Sequence, residues 1–219
     1  MKKKGFLLFF AALMFSSCVG VSMEIALRQD GSGTIALEYR LSRELEYLGK
    51  LDGNENWPSI PVGKADFERS AARIEGLSLR SFSESAAPAD RVYQAKLDFS
   101  NLEALLMFLD SSGQRASLVR EGGRNRLVLS FNDSVGRFDV DRELLDLAAA
   151  IFEGYALDFG IALPRTPELR LSNGSGGFSE SPPAGTALVQ GNRVSFSAAM
   201  ADLFSAQSPA LLEIIWRDD

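Results

Sequence analysis

Cys18 is the single cysteine of the 219-residue chain, and the chain has no histidine. A thiol or hydroxyl nucleophile is ordinarily activated by a neighbouring imidazole. Without one there is no Ser-His-Asp or Cys-His machinery, no His-ligated zinc and no histidine proton transfer near neutral pH. One cysteine also rules out an internal disulfide. What remains for chemistry is carboxylates, Lys, Tyr and Ser. Asp139 with Asp141, and Glu44 with Glu46, are pairs of the type glycosidases use to flank one bond. Both fall where helix starts or exposed helix faces are expected, and helix N-termini favour acids on electrostatic grounds alone. No serine sits in a G-x-S-x-G elbow. SNGSGG at 172–177 lacks the Lys and Ser/Thr of a phosphate loop, and QDGSG at 29–33 lacks the alternating acids and distal Glu of a calcium loop. Both read as surface turns. Neither an enzyme activity nor a cofactor nor a metal is expected.

The surroundings of Cys18 suggest a different use for its sulfur. Lys2, Lys3 and Lys4 precede an uninterrupted apolar run over residues 6–15, and Ser16 and Ser17 then lead into the cysteine. That is the layout of an export signal, too short for a permanent membrane span. Phe15, Ser16, Ser17 and Cys18 resemble the lipobox of bacterial lipoproteins, with Phe15 standing where the pattern has an aliphatic residue. The resemblance implies that the Cys18 sulfur receives a diacylglycerol and that the chain is cut just before it. Residues 1–17 are then a lipoprotein signal peptide, and 18–219 a single domain held to a membrane of the cell envelope through lipidated Cys18. Ordinary secretion and an uncleaved anchor are the alternatives, although bulky Phe15 suits ordinary cleavage after Ser17 poorly.

Loss of the three lysines takes the net charge from −6 to −9. An acidic chain lacks the basic surface that nucleic acid requires, and it has no polybasic patch for anionic lipid. With 46% apolar residues it is globular, and its length suffices for a full core. After Cys18 no apolar run approaches the length of a membrane helix.

Strands and helices must do the positioning. Val21, Met23, Ile25 and Leu27 alternate with small or polar residues, Asp30-Gly31-Ser32-Gly33 turns, and Ile35, Leu37, Tyr39 and Leu41 alternate again, which predicts a hairpin with one buried face. Leu45 and Leu48 suggest a short helix. Residues 64–75 predict a helix with Phe67, Ala71 and Ile74 inward and Gly76 as its stop. LSLRSFSES and RVYQAKLDF form a second strand pair. Ser100 to Glu103 has capping-box spacing, and Leu102, Leu105, Leu106 and Leu109 follow at helical intervals. RASLVRE and RNRLVLSF make a third pair across Gly122-Gly123, before a helix capped by Asp139, striped by Leu144, Leu147, Ala148 and Ile151 and stopped by Gly154. A hairpin-then-helix unit thus recurs about three times. The last third reads as a strand in YALDFGIALP, short strands around Leu169–Leu171 and Val194–Phe196, and a final strand in ALLEIIW. The aromatics Phe67, Tyr93, Phe99, Phe131, Tyr155 and Phe159 fall on apolar faces and read as core. The expected class is α+β, with antiparallel β-hairpins and about three or four amphipathic helices packed on one sheet face.

With the lipobox-like start, the hairpin VSMEIALRQDGSGTIALEYRLS directly after it, and FGIALPRTPELRLSNG followed by another strand, residues 18–216 resemble an LppM-type bacterial lipoprotein domain. The resemblance implies a non-enzymatic envelope protein whose apolar cavity takes up lipid or glycolipid. It supplies no catalytic residues; Cys18 alone carries over, as the lipidation site. The alternative is a structural protein that docks an envelope protein partner at the membrane surface with no small ligand. The first requires a connected apolar cavity and the second a filled core.

Overall fold

A β-strand buries alternate residues, so the chain's runs of alternating apolar residues can close a core only by laying strand faces over one another or under helices. The computed structural model describes residues 20–42, 63–87, 90–110, 115–131, 154–172, 178–179, 181–206 and 208–218. In chain order these form β1 (Val21–Leu27), β2 (Gly33–Ser42), α1 (Lys64–Ala72), β3 (Leu77–Ala86), β4 (Asp90–Phe99), α2 (Leu102–Leu109), β5 (Ala116–Glu121), β6 (Arg124–Ser130) and β7 (Ala156–Ala162). β8 (Glu168–Ser172), β9 (Phe178–Ser179), β10 (Thr186–Gln190), β11 (Arg193–Ala199), α3 (Met200–Ser205) and β12 (Leu211–Arg217) complete them.

The strands make two sheets, one of seven in the order β10-β11-β7-β1-β2-β4-β3 and one of five in the order β5-β6-β12-β8-β9. In the larger sheet β1 is central. It pairs antiparallel with β2, with Ile25 opposite Ile35, and parallel with β7, with Ile25 opposite Ile161. One row of inward side chains therefore crosses the sheet through Val194, Ile161, Ile25, Ile35 and Leu97. In the smaller sheet β12 lies between β6 and β8, and Leu118, Leu127, Ile214 and Leu169 form the matching inward row. Buried residues of both sheets belong to one hydrophobic cluster. Phe131, at the end of β6, joins them directly: its ring lies 4.5 Å from that of Phe196 on β11 and 5.6 Å from that of Phe159 on β7.

The expected α+β class, with three or four helices covering one sheet face, is overturned. The protein is mostly β, and its described helices number three, of 9, 8 and 6 residues. Helices that short bury few side chains, Phe67 and Ala71 from α1 and Leu102, Ala104 and Leu105 from α2. They cannot cover a seven-stranded face, and the second sheet supplies the remaining apolar surface. The expected hairpin-then-helix order is present for β1–β2 then α1 and for β3–β4 then α2. The helices expected at Leu45 to Leu48 and from Asp139 lie outside the described residues. Phe67, Tyr93, Phe99 and Phe159 are buried core residues, while Phe131 and Tyr155 are partly buried.

Local signals explain the ends of elements. Asp30 accepts from the backbone N–H (3.0 Å) and hydroxyl (2.6 Å) of Ser32, and Gly31 takes φ 82°, so QDGSG is an Asx-type turn between β1 and β2. Gly122 and Gly123 take φ 58° and 75°, the paired left-handed conformation of a two-residue hairpin turn. The α2 N-cap is Asn101, not Ser100: Asn101 Oδ1 accepts from Ala104 N at 2.8 Å.

Candidate functional site

The expected lipidation site, Cys18, and the lipobox residues Phe15, Ser16 and Ser17 lie outside the described residues, as do Glu44, Glu46, Asp139 and Asp141. The described chain nonetheless begins close to Cys18. Gly20 is buried at the start of β1: its N–H donates to the Ala156 carbonyl at 3.1 Å, and its own carbonyl accepts from Arg40 N at 3.0 Å. A Cβ on Gly20 would come within 2.8 Å of the Ala156 carbonyl oxygen, so this close approach of backbones needs glycine.

A concave surface among the described residues lies on the smaller sheet's outer face. Alternation along β6 sends Leu127 and Leu129 inward and Arg124 and Arg126 outward. The β12 register then sets Arg126 beside Ile215, and the β8 register sets Arg170 beside Glu213. Two adjoining depressions of about 510 and 420 Å³ share Arg124 and Ile215. Around them stand five arginines, Arg124, Arg126, Arg165, Arg170 and Arg217, against the three glutamates Glu121, Glu168 and Glu213. The face is therefore locally basic on an acidic chain. Arg126 pairs with Glu213 and Arg124 with Glu168, each at 3.2 Å, and Arg170 Nε donates to Glu168 at 2.7 Å. Ile215 points outward yet is 6% exposed, consistent with arginine stems lying over it.

Guanidinium groups so arranged can receive a carboxylate or phosphate through paired N–H bonds. They also neutralise one another's glutamate neighbours as an ordinary solvated sheet face, and exposed pairs of this kind are worth about 0–1 kcal/mol each. Sequence reading missed the face. RNRLVLS and ELRLS each place arginines at outward positions, but nothing local says that β12 brings the two strands together.

The larger sheet's outer face is polar and internally bonded. Gln94 donates to Glu38 at 2.7 Å, Ser197 to Asp158 at 2.6 Å and Arg80 to Asp98 at 2.8 Å. Arg193 pairs with Glu24 across Gly160, where any Cβ would occupy the space of the pair. Asp30 is likewise committed to its turn, and the Ser32 hydroxyl and N–H hold its carboxyl below the usual range. Among the described residues no group of three or more Cys, Asp or Glu is placed to hold a metal ion, and no helix is long and apolar enough to cross a membrane.

No protein-family model matches the chain, and no curated protein does. Among solved structures, the chain is similar to the folded domain of LppM from Mycobacterium tuberculosis, determined by NMR, at 10% sequence identity and a TM-score of 0.47, over 91% of this chain and 89% of that one.

Proposed function

We propose that the chain is a non-enzymatic lipoprotein of the cell envelope, anchored in a membrane by acyl chains on Cys18, and that its folded domain docks a partner at the membrane surface. The observation that carries this reading is Gly20, already hydrogen-bonded into the larger sheet two residues after the cysteine. Two residues span at most about 7 Å. Acyl chains on Cys18 would therefore hold the start of β1 against the lipid headgroups, and two chains are what stable anchoring needs. A tether this short suits a domain that works at the membrane and not one that reaches away from it.

Packing supports docking over uptake of an apolar ligand. The rings of Phe131 and Phe196 stack at 4.5 Å and those of Tyr39 and Tyr93 at 4.9 Å, while the two open depressions are lined largely by Arg and Glu. Intact mass spectrometry of the membrane-extracted chain, beside a Cys18→Ala variant, tests the proposal. A chain beginning at Cys18 with a diacylglyceryl mass, absent from a variant that moves to the soluble fraction, is the expected result. An unmodified chain that starts elsewhere overturns the anchor, and a co-extracted lipid in stoichiometric amount would replace docking by ligand uptake.

A further inference from the structure

A sheet edge presents unpaired N–H and C=O groups, and proteins blunt such edges with charge, bulges or brevity. Among the described residues, three of the four sheet edges are blunted. β3 carries a register shift between Leu79 and Ser81 together with Arg80 and Glu84, β5 ends in Arg120 and Glu121, and β9 has two residues. β10 is different. Its sequence TALVQ has no charge, no proline and no bulge, Leu188 is 56% exposed and Val189 39%, and among the described residues its backbone bonds only to β11.

We propose that β10 is a self-association edge, through which two copies of this chain join antiparallel into one continuous sheet. Gly191 and Asn192 close the β10–β11 hairpin, with Gly191 at φ 61° and Gln190 opposite Arg193. A two-residue turn makes that closing pair a hydrogen-bonded one, and alternation then points the backbone groups of Val189 and Ala187 at the open edge. A two-fold pairing of identical edges must be antiparallel, and centring it on Leu188 satisfies every position. Ala187 and Val189 exchange bonds with Val189 and Ala187 of the second copy, a small side chain facing a larger one on the inner side. Leu188 meets the second copy's Leu188 at a non-hydrogen-bonded position, and Gln190 faces Thr186. The nearest charge in the hairpin, Arg193, is already paired with Glu24, so no like charges meet. The inner row that runs through Val194 and Ile161 continues across the join.

The test is oxidative cross-linking of the full chain in its membrane. Directly opposed residues of a non-hydrogen-bonded pair lie about 4.5 Å apart at Cα, within disulfide reach. Leu188→Cys is expected to form a covalent dimer on mild oxidation, Ala187→Cys alone to form none, and Ala187→Cys mixed with Val189→Cys to form one; the unsubstituted chain reports any band due to Cys18. Sedimentation of detergent-extracted chain should show a dimer whose dissociation constant rises about tenfold or more in Leu188→Lys, since apolar contact is replaced by opposed like charges. Leu188 is exposed, so the variant keeps its core, which circular dichroism would verify. A Leu188→Cys chain that stays monomeric, a cross-link to a different polypeptide, or a dimer indifferent to Leu188→Lys each overturns the proposal.

Discussion

Tyr39 has its ring in the core, 4.9 Å from that of Tyr93 and 6.2 Å from that of Phe67, and its hydroxyl is buried with no hydrogen-bond partner among the described residues. Ring and hydroxyl therefore act in opposite directions. Ring burial supplies apolar stabilisation, while the orphaned hydroxyl has given up water and received nothing. Tyr39→Phe is expected to leave stability unchanged or raise it, and Tyr39→Ala to lower it by about 3–5 kcal/mol, as measured by denaturant unfolding. The same burial, with the neighbouring Tyr93, Asp66 and Glu84 adding to it, pushes the Tyr39 pKa well above its ordinary value. An unfolded chain releases this proton near pH 10 while the folded chain retains it, so the contribution to stability is intact below about pH 10 and is lost as pH rises beyond it. Unfolding midpoints taken at pH 8 and pH 11 should therefore diverge, the native chain losing more stability over that interval than Tyr39→Phe, because the remaining tyrosines are common to both chains. If Tyr39→Phe is destabilised by more than about 1 kcal/mol, the hydroxyl has a bond that this account lacks.

Elements were legible in the sequence to the extent that local pattern defines them. Alternation at Val21 to Leu27 and at Leu127 to Phe131 identified strands and their inward faces, and Phe67 and Ala71 are buried as their spacing predicts. Period-two patterning says nothing about which strand lies next door or in which direction it runs. That is why the sequence does not show the parallel pairing of β1 with β7, nor that the arginines of β6 and β8 share one surface, since β12 lies between those two strands. TALVQ was missed as a strand because its five residues are neither cleanly alternating nor strongly apolar. The α2 cap is a narrower case. Capping-box spacing favoured Ser100, but Asn101 reaches Ala104 N, while Ser100 binds back to the Gly76 carbonyl through its own N–H. Asn101→Ala is therefore expected to lower stability by about 1 kcal/mol and Ser100→Ala by clearly less. Equal losses in the two variants, by chemical denaturation, would return the cap to Ser100.

At the scale of the whole molecule, the sheets share one core, and this decides how the protein should fail. Leu212 on β12 is fully buried in the smaller sheet, and Ile25 on β1 lies 2% exposed in the larger, within the same cluster. Phe131 bridges the two, with Phe131 N donating to the Ala210 carbonyl at 3.2 Å beside the start of β12 and its ring against Phe159 and Phe196. If each sheet were an independent unit, a cavity in the smaller one would loosen only that one. A common core removes this freedom, because neither inner face can be exposed without exposing the other. Leu212→Ala is expected to cost about 2–5 kcal/mol of global stability. Under native-state hydrogen exchange, the slowest amides of β1 should lose the same free energy of protection as those of β12. Protection lost in β6, β8 and β12 while β1 and β2 keep theirs would mean that the smaller sheet opens alone. The Arg-lined face would then be a separately mobile surface, and not one held in place by the seven-stranded sheet behind it.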